Sequence, residues 1–233
     1  MSFRKINAIF MKQLNNSYKN LNVASMVAIM LVMAFGFSAM LDEESGVHTN
    51  HMVSILVNMN ILMVGTLVMS FLISEEKEKN TMQVLMTSTV SPAEFLIGNG
   101  LMALLTTTVT SALIMLMLGW NEFSTVILLI SVFASIGAII GGALIGILSK
   151  NQTEASVMST PFAFGLLMIP MFFGANELVQ NIFEYLFTQS MSDAIVNVSN
   201  GEPILMNLII IAGNIVVLSV VFAIVYKRNR MSK

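Results

Sequence analysis

The chain has 233 residues, of which 56% are hydrophobic and only 10% are charged. An average soluble domain carries about 25% charged residues, and here the charges are missing from long uninterrupted runs, which is typical of a protein that spans a bilayer. Because no cysteine occurs, disulfides, thiolate zinc sites and cysteine nucleophiles are excluded. His48 and His51, the two histidines, cannot make a metal site alone.

Six apolar runs, each close to the roughly 20 residues that a transmembrane helix needs, predict six spans. They cover residues 21–41, 53–74, 96–118, 125–149, 157–174 and 204–226. None contains Asp, Glu, Lys, Arg or His. We therefore expect an all-α membrane protein with a single transmembrane domain over residues 1–233.

The positions of the basic residues predict the orientation. All 11 lysines and arginines lie before the first run, between the second and third, between the fourth and fifth, or after the sixth. Alternating spans place these segments on one side of the membrane, and the opposite side then carries acidic residues but no lysine or arginine. By the positive-inside rule the basic side is cytoplasmic. The expectation is a multi-pass plasma-membrane protein with both termini in the cytoplasm.

Two segments outside the runs have helical periodicity. Residues 3–20 predict an amphipathic helix in the inner interface, because their large apolar side chains recur every three or four residues; the alternative is an extension of the first span. These side chains are Phe3, Ile6, Phe10, Leu14 and Tyr18. Residues 176–200 predict short extracellular helices at or in the outer interface.

The longest predicted cytoplasmic connection covers residues 75–92. Glu75 and Lys79 have the spacing and orientation of a helical ion pair, and an apolar patch at helical spacing follows them. The patch consists of Met82, Leu85 and Met86. Ser91-Pro-Ala-Glu94 then predicts a capping box that starts the third span. The pattern favours a short helix held across the cytoplasmic face, where a partner docks; the alternative is a charged loop in water.

Residues 73–98 read Ile-Ser-Glu-Glu-Lys-Glu-Lys-Asn-Thr-Met-Gln-Val-Leu-Met-Thr-Ser-Thr-Val-Ser-Pro-Ala-Glu-Phe-Leu-Ile-Gly. This segment resembles the signature of type-2 ABC transporter permeases, which have the ABCG-like exporter fold. The six-span layout, the amphipathic N-terminal helix and the short outer helices extend the resemblance to nearly the whole chain. Two positions depart from the pattern: Asn80 stands where many members have glycine, and Asn99 stands where many have lysine after Gly98.

The resemblance implies that residues 76–87 are a coupling helix whose apolar patch sits in a groove of a separate ABC ATPase subunit. It also implies that Glu75, Glu76 and Glu78 pair with basic or polar groups of that subunit, and that residues 3–18 are the connecting (elbow) helix. ATP would bind to the partner, so no cofactor is expected in this chain.

Two features that the sequence lacks limit the possible energy sources for transport. No ionisable residue lies within the apolar runs, which argues against an internal proton relay. No Gly-x-x-x-x-Gly-Lys-Ser/Thr phosphate loop occurs, so the chain is not expected to hydrolyse ATP itself. Energy must then come from a partner.

Polar and small residues inside the runs are candidates for the pathway or for helix packing. The asparagines of the second and sixth runs must find hydrogen-bond partners away from lipid, and they either line the path or join helices. They are Asn58, Asn60, Asn207 and Asn214. The fourth run carries glycines at the spacing of close helix contacts, within the chain or at a dimer seam. They are Gly137, Gly141, Gly142 and Gly146.

Together these features favour the permease subunit of an ATP-driven exporter for a hydrophobic or amphipathic compound, such as a peptide toxin or bacteriocin, an antibiotic or a lipid. The expected partners are an ABC ATPase, a second copy or paralogue of the permease, and the bilayer, but no nucleic acid. The alternative function is a membrane sensor or immunity subunit that binds such a compound without transporting it.

Overall fold

A computed structural model of the protein describes residues 2–17, 20–39, 46–79, 90–172 and 183–231. Throughout these ranges the regular secondary structure is helical, and no strand is formed there. The predicted fold class, an all-α membrane protein, is confirmed.

The helices follow one another along the chain as α1 (Phe3–Ser17), α2 (Leu21–Ser38), α3 (Gly46–Asn60), α4 (Thr66–Glu78), α5 (Pro92–Leu118), α6 (Ser124–Leu148), α7 (Gln152–Phe172), α8 (Phe187–Asn200) and α9 (Leu205–Met231). A π-helical turn, Ile61–Gly65, joins α3 to α4. Helix α3, this turn and α4 therefore form one long rod.

Five of the described helical stretches are long and apolar enough to cross a bilayer, and they coincide with five of the predicted spans. They are Leu21–Ser38, Met52–Glu78, Ala93–Leu118, Ser124–Leu148 and Leu205–Arg228. Helix α7 covers most of the remaining predicted run, whose last residues, 173 and 174, lie outside the described ranges. The total of six membrane spans therefore stays a prediction.

Burial divides these stretches into a central and a peripheral set. In its most apolar window, 83% of the rod formed by α3 and α4 is buried, and 67% of α6 is buried. The corresponding shares are 17% for α2 and 11% for α9. The rod and α6 therefore form the centre of the bundle, while α2 and α9 lie at its surface.

Glycines allow α6 to approach the rod closely. A Cβ atom on Gly142 would lie 2.2 Å from the carbonyl oxygen of Thr66, and one on Gly146 would lie 2.9 Å from that of Ser70. Only a residue without a side chain permits two helix backbones to approach this closely. A Cβ on Gly137 or Gly141 would meet an aromatic ring of α8 or α7 at 3.6 or 3.2 Å. All four glycines thus face other helices of the same chain.

The start of α5 has the predicted capping box, which is confirmed. The Ser91 side chain accepts a hydrogen bond from the backbone N–H of Glu94 at 3.2 Å, and the Glu94 carboxylate accepts one from the backbone N–H of Ser91 at 2.8 Å. The Ser2 backbone N–H donates to the same carboxylate at 2.6 Å. The beginning of α1 is therefore attached to the beginning of α5.

Helix α1 packs on α5 through a face that partly differs from the predicted one. The structure buries Ile6, Ile9, Gln13 and Ser17, whereas Phe3 is 83% exposed. A Cβ on Gly98 would lie 2.7 Å from that of Ile9, so this glycine leaves the space into which α1 fits. That space, rather than the strongest apolar stripe, determines the packed face. The interfacial position of α1 stays a prediction.

Helix α8 forms the C-terminal part of the segment predicted over residues 176–200, of which residues up to 182 lie outside the described ranges. It ends at Gly201, whose φ of 73° is the left-handed conformation that glycine adopts easily. At its start, the Phe187 ring lies 3.6 Å from the position of a Cβ on Gly137, halfway along α6. Helix α8 therefore reaches into the bundle.

Candidate functional site

The charged residues after the second predicted span continue its helix. Residues 75–78 form the last turn of α4, and Lys79 is its C-cap. The first residues of the predicted coupling helix, 76–87, therefore belong to the end of the rod. Met82, Leu85 and Met86, the predicted apolar patch, lie outside the described ranges.

Glu76 is almost fully buried, with 4% of its surface exposed, and it binds two residues of α1. Lys12 Nζ donates to both carboxylate oxygens, at 2.6 and 2.8 Å, and Gln13 Nε2 donates to one of them at 2.9 Å. Loss of Lys12 would leave this buried carboxylate without its cation, which generally destabilises a protein, although the Lys12 side chain itself is 41% exposed. Glu76 therefore fixes α1 to the end of the rod.

Gln13 extends this contact to α5. Its Nε2 also donates to Asn99 Oδ1 at 2.7 Å, and Asn99 Nδ2 donates to the Phe95 carbonyl at 2.9 Å. Asn99 is fully buried and Gln13 nearly so. Buried polar side chains of this kind are stabilising only when they are paired, and here both amides are bound. Helices α1, α4 and α5 are joined in one polar network.

Glu75 binds residues on two sides. Its carboxylate accepts a hydrogen bond from Asn20 Nδ2, just before α2, at 3.0 Å, and it forms the predicted helical ion pair with Lys79, which is confirmed. The hydrogen bond with Glu75 raises the pKa of Lys79 above its ordinary value, and the nearby Glu76 and Glu78 carboxylates add to the rise, while partial burial opposes it.

Lys77 and Glu78 contact the ends of two further helices. Lys77 Nζ donates to the carbonyl oxygens of Ile147 and Ser149, where α6 ends. Glu78 accepts a hydrogen bond at 3.3 Å from the backbone N–H of Gln152, where α7 begins. A cation at a helix C-terminus and an anion at a helix N-terminus both interact favourably with the helix dipole.

We call residues 75–79, with their partners Lys12, Gln13, Asn20, Asn99 and Gln152, the polar hub. The hub connects the ends of α1, α4 and α6 with the beginnings of α2, α5 and α7. These helix ends consequently lie at one end of the bundle, which we call the basic end. Of the hub contacts, only the ion pair of Glu75 and Lys79 can be predicted from the spacing of residues in the sequence. The hub partners lie far away along the chain, and no local pattern marks them.

Asn58 and Asn60, predicted to line the path or join helices, bind helices on different sides of the rod. Asn58 Nδ2 donates to the Thr188 carbonyl at 3.3 Å and to Ser192 Oγ at 2.9 Å, both in α8. Asn60 Nδ2 donates to the Thr107 carbonyl at 3.0 Å and to Ser111 Oγ at 2.8 Å, both in α5. In this structure both amides hold helices together.

A buried polar seam lies where α8 contacts α3. Within the described part of the chain, Asn58 Oδ1 of α3 and three side-chain oxygens of α8 are buried without a hydrogen-bond partner: Thr188 Oγ1, Gln189 Oε1 and Ser190 Oγ. Three of them belong to the first turn of α8, and no side chain caps that end of the helix. Burying a polar atom without a hydrogen-bond partner costs about 1–3 kcal/mol of stability. The seam is therefore a polar contact in which only part of the hydrogen-bonding capacity is used.

The last two asparagines lie on α9. Asn214 Nδ2 donates to the Tyr185 carbonyl at 2.7 Å and to the Ile210 carbonyl at 2.9 Å. Asn207 lies beside Asn197 of α8. Both residues therefore face the segment that enters and forms α8, and neither approaches Asn58 or Asn60 through a hydrogen bond among the described residues.

The helical membrane architecture, with a network of charged and polar side chains at one end of the bundle, defines an integral membrane protein of several spans. The sequence model of the family described as ABC-2 family transporter protein matches residues 4–224. The chain therefore belongs to the ABC-2 transporter family, and it is a permease, the transmembrane component. The predicted resemblance to type-2 ABC permeases is confirmed. No curated protein matches the sequence.

Proposed function

We propose that this permease is the transmembrane subunit of an ATP-driven exporter. It moves a hydrophobic or amphipathic compound out of the cell, of the class of peptide toxins or bacteriocins, antibiotics and lipids. A separate ABC ATPase binds and hydrolyses ATP and docks on residues 80–89, next to the basic end of the bundle. That end and both termini face the cytoplasm.

The polar hub is the observation that carries this proposal. Movement of the segment after Lys79 acts directly on the end of α4. From there the hub bonds lead to α1, α2, α5, α6 and α7. Because α4 also contacts α6 through the backbone at Gly142 and Gly146, a displacement at the basic end reaches the middle of the bundle.

The side chains of the predicted spans indicate the class of compound that is transported. The predicted runs contain no ionisable residue, so a charged hydrophilic solute would find no counter-charge within them. The polar groups at depth are hydroxyls and amides, as at the seam between α3 and α8. Such a lining suits a compound that is largely apolar with a few hydrogen-bonding groups.

The peripheral helices support a pair of permeases. Helices α2 and α9 expose large apolar side chains, among them Val32 at 69% and Val217 at 63%. In a membrane such faces contact lipid or another transmembrane helix. A second copy or a paralogue packed on one of them would double the number of spans around a conduit.

Separate variants test the docking of the ATPase and the transmission of its movement through the polar hub. The double variant Met82→Asp and Leu85→Asp should lose co-purification with an ABC ATPase co-expressed from the same genome, because a charge enters an apolar contact. Glu76→Gln should keep co-purification but lose stimulation of the ATPase by transport substrate, since the ion pair with Lys12 is removed. Trp120→Asp, which adds an acid near the beginning of α6, away from the hub, is the control.

Unchanged co-purification of the double variant would overturn the docking assignment. If Glu76→Gln kept full stimulation, the hub would have no part in transmission. The amount of each variant in the membrane fraction must equal that of the unmodified chain, so that loss of insertion is not read as loss of docking.

A further inference from the structure

A groove of about 520 Å³ lies between the end of α1, the first half of α2 and α5. Ala24, Ala28 and Leu31 of α2 and Met102 of α5 line its length, and Asn15 and Ser17 of α1 line it where α1 ends. A volume of this size falls within the usual range for sites of small ligands.

Two alanines create the space. Ala24 and Ala28 are four residues apart and therefore lie on the same face of α2, where both line the groove and are themselves exposed. Larger side chains at these positions would fill the gap between the two helices. The groove therefore exists because α2 carries small side chains at these two positions.

One end of the groove is polar and the rest is apolar. Among the described residues, the Ser17 hydroxyl has no hydrogen-bond partner, although only 4% of the residue is exposed. The Thr106 hydroxyl, further along, is already bound to the Met102 carbonyl at 3.0 Å. A ligand that fits has a head group with hydrogen-bonding capacity at Ser17 and a hydrocarbon part along Ala24 and Ala28.

The surroundings of the groove indicate where such a ligand comes from. Its rims carry exposed apolar side chains, with Leu21 at 82% and Ile29 at 52% on α2 and Leu105 at 41% on α5. In a spanning chain these surfaces face lipid, so the groove is reached from the lipid phase. A helix is about 10 Å wide, so the groove would hold only about one helical turn. One hydrocarbon chain is thinner than a helix and fits within this volume.

We propose that the groove binds the single hydrocarbon chain of an amphiphile dissolved in the membrane, with the head group at Ser17 and Asn15. The role of this site in holding the exported compound rests on the proposed function, whereas the binding itself does not. The proposed occupant is a single-chain amphiphile, because the volume of about 520 Å³ is small and the groove has one polar end.

The binding is tested on the full chain in lipid nanodiscs without an ATPase. The probe is spin-labelled stearic acid, whose immobilised fraction is measured by electron paramagnetic resonance. Ala28→Phe should reduce the immobilised fraction several-fold, because the ring fills the groove. Val217→Phe is the control on α9, at a residue that is 63% exposed and does not line the groove, and it should leave the fraction unchanged. Ala24→Leu is a milder filling variant in case Ala28→Phe does not fold.

The head-group contact has its own variant. Ser17→Ala should weaken stearate binding roughly two- to tenfold, as expected for the loss of one hydrogen bond, and should leave the protein folded. A spin-labelled phospholipid should be immobilised equally by the unmodified chain and by all the variants.

The proposal is overturned if both filling variants retain the stearate signal, or if Val217→Phe loses it to the same degree. It is also overturned if the phospholipid is immobilised like stearate and responds to the same variants, because the groove would then hold ordinary boundary lipid only. Since no ATPase is present, failure of the docking experiment leaves this result unaffected, and the two ideas can fail separately.

Discussion

Asn99 shows how one residue changes the partners of its neighbours. In the family pattern many members have a lysine after the glycine at position 98, and here an asparagine occupies that place. Its side chain accepts a hydrogen bond from Gln13, which in turn binds Glu76. Lys12 of α1 is the cation beside Glu76. The departure from the pattern is therefore accommodated by α1 within this chain.

Asp193 gives a prediction about the dependence of stability on pH. Burial raises the pKa of this carboxyl above its ordinary 3.8, Glu184 adds to the rise, and the hydrogen bond from Gln189 opposes it. The folded chain thus binds more protons than the unfolded chain between the ordinary and the raised pKa. Stability is lost as the pH rises through this window. Asp193→Asn, which can still accept the hydrogen bond from Gln189, should slightly raise the stability at neutral pH.

The measurement is thermal unfolding in detergent from neutral pH down towards the ordinary pKa of 3.8. The difference in melting temperature between Asp193→Asn and the unmodified chain should shrink as the pH falls, because the protonated aspartic acid is then as neutral as asparagine. Glu122→Gln, at an exposed turn between α5 and α6, is the control and should show no such convergence. A difference that stayed constant with pH would contradict the assignment to Asp193.

At the scale of the elements, the contact between the rod and α6 gives a second prediction. Gly142→Ala places a methyl group at 2.2 Å from the Thr66 carbonyl oxygen, which is part of the backbone and cannot move aside alone. Overpacking of this kind typically costs about 1–3 kcal/mol. We expect a lower melting temperature in detergent.

Gly165 of α7 provides the opposite case, since no atom lies within 4 Å of its missing Cβ. Gly165→Ala should leave the stability unchanged or raise it by about 0.5–1 kcal/mol, because alanine is the better helix former. Equal melting temperatures for the two variants would show that the backbones of α4 and α6 can separate without loss.

The elements differ in how far the sequence predicts them. The capping box at Ser91 and the pair of Glu75 and Lys79 are predictable, since both depend on residues within four positions of each other. The packed face of α1 is only partly predictable, because Gly98 of α5 decides it and the two segments lie far apart along the chain. The hub bonds to α6 and α7 depend on which helix ends meet, and no spacing within one segment contains that information.

At the scale of the whole molecule, the orientation in the membrane is open to a direct test. The chain has no cysteine, so a single introduced thiol can be labelled without background. Trp120→Cys, between α5 and α6, should react in intact cells with a reagent that does not cross membranes. Asn151→Cys, between α6 and α7 at the basic end, should react only after the cells are permeabilised.

Both positions are exposed residues, so accessibility there reflects the side of the membrane and not burial. The reverse pattern of labelling would place the polar hub outside the cell and would remove the basis for an ATPase partner. Labelling of both variants in intact cells would contradict an alternating passage of α6 through the bilayer.

The π-helical turn at Ile61–Gly65 divides the most buried rod of the bundle into two parts with different attachments. Just before the turn, Asn58 and Asn60 fasten α3 to α8 on one side and to α5 on another. After it, α4 is held against α6 by close glycine contacts and by Lys77. The two halves of the rod are therefore anchored in different parts of the bundle, and these five residues are the junction between them.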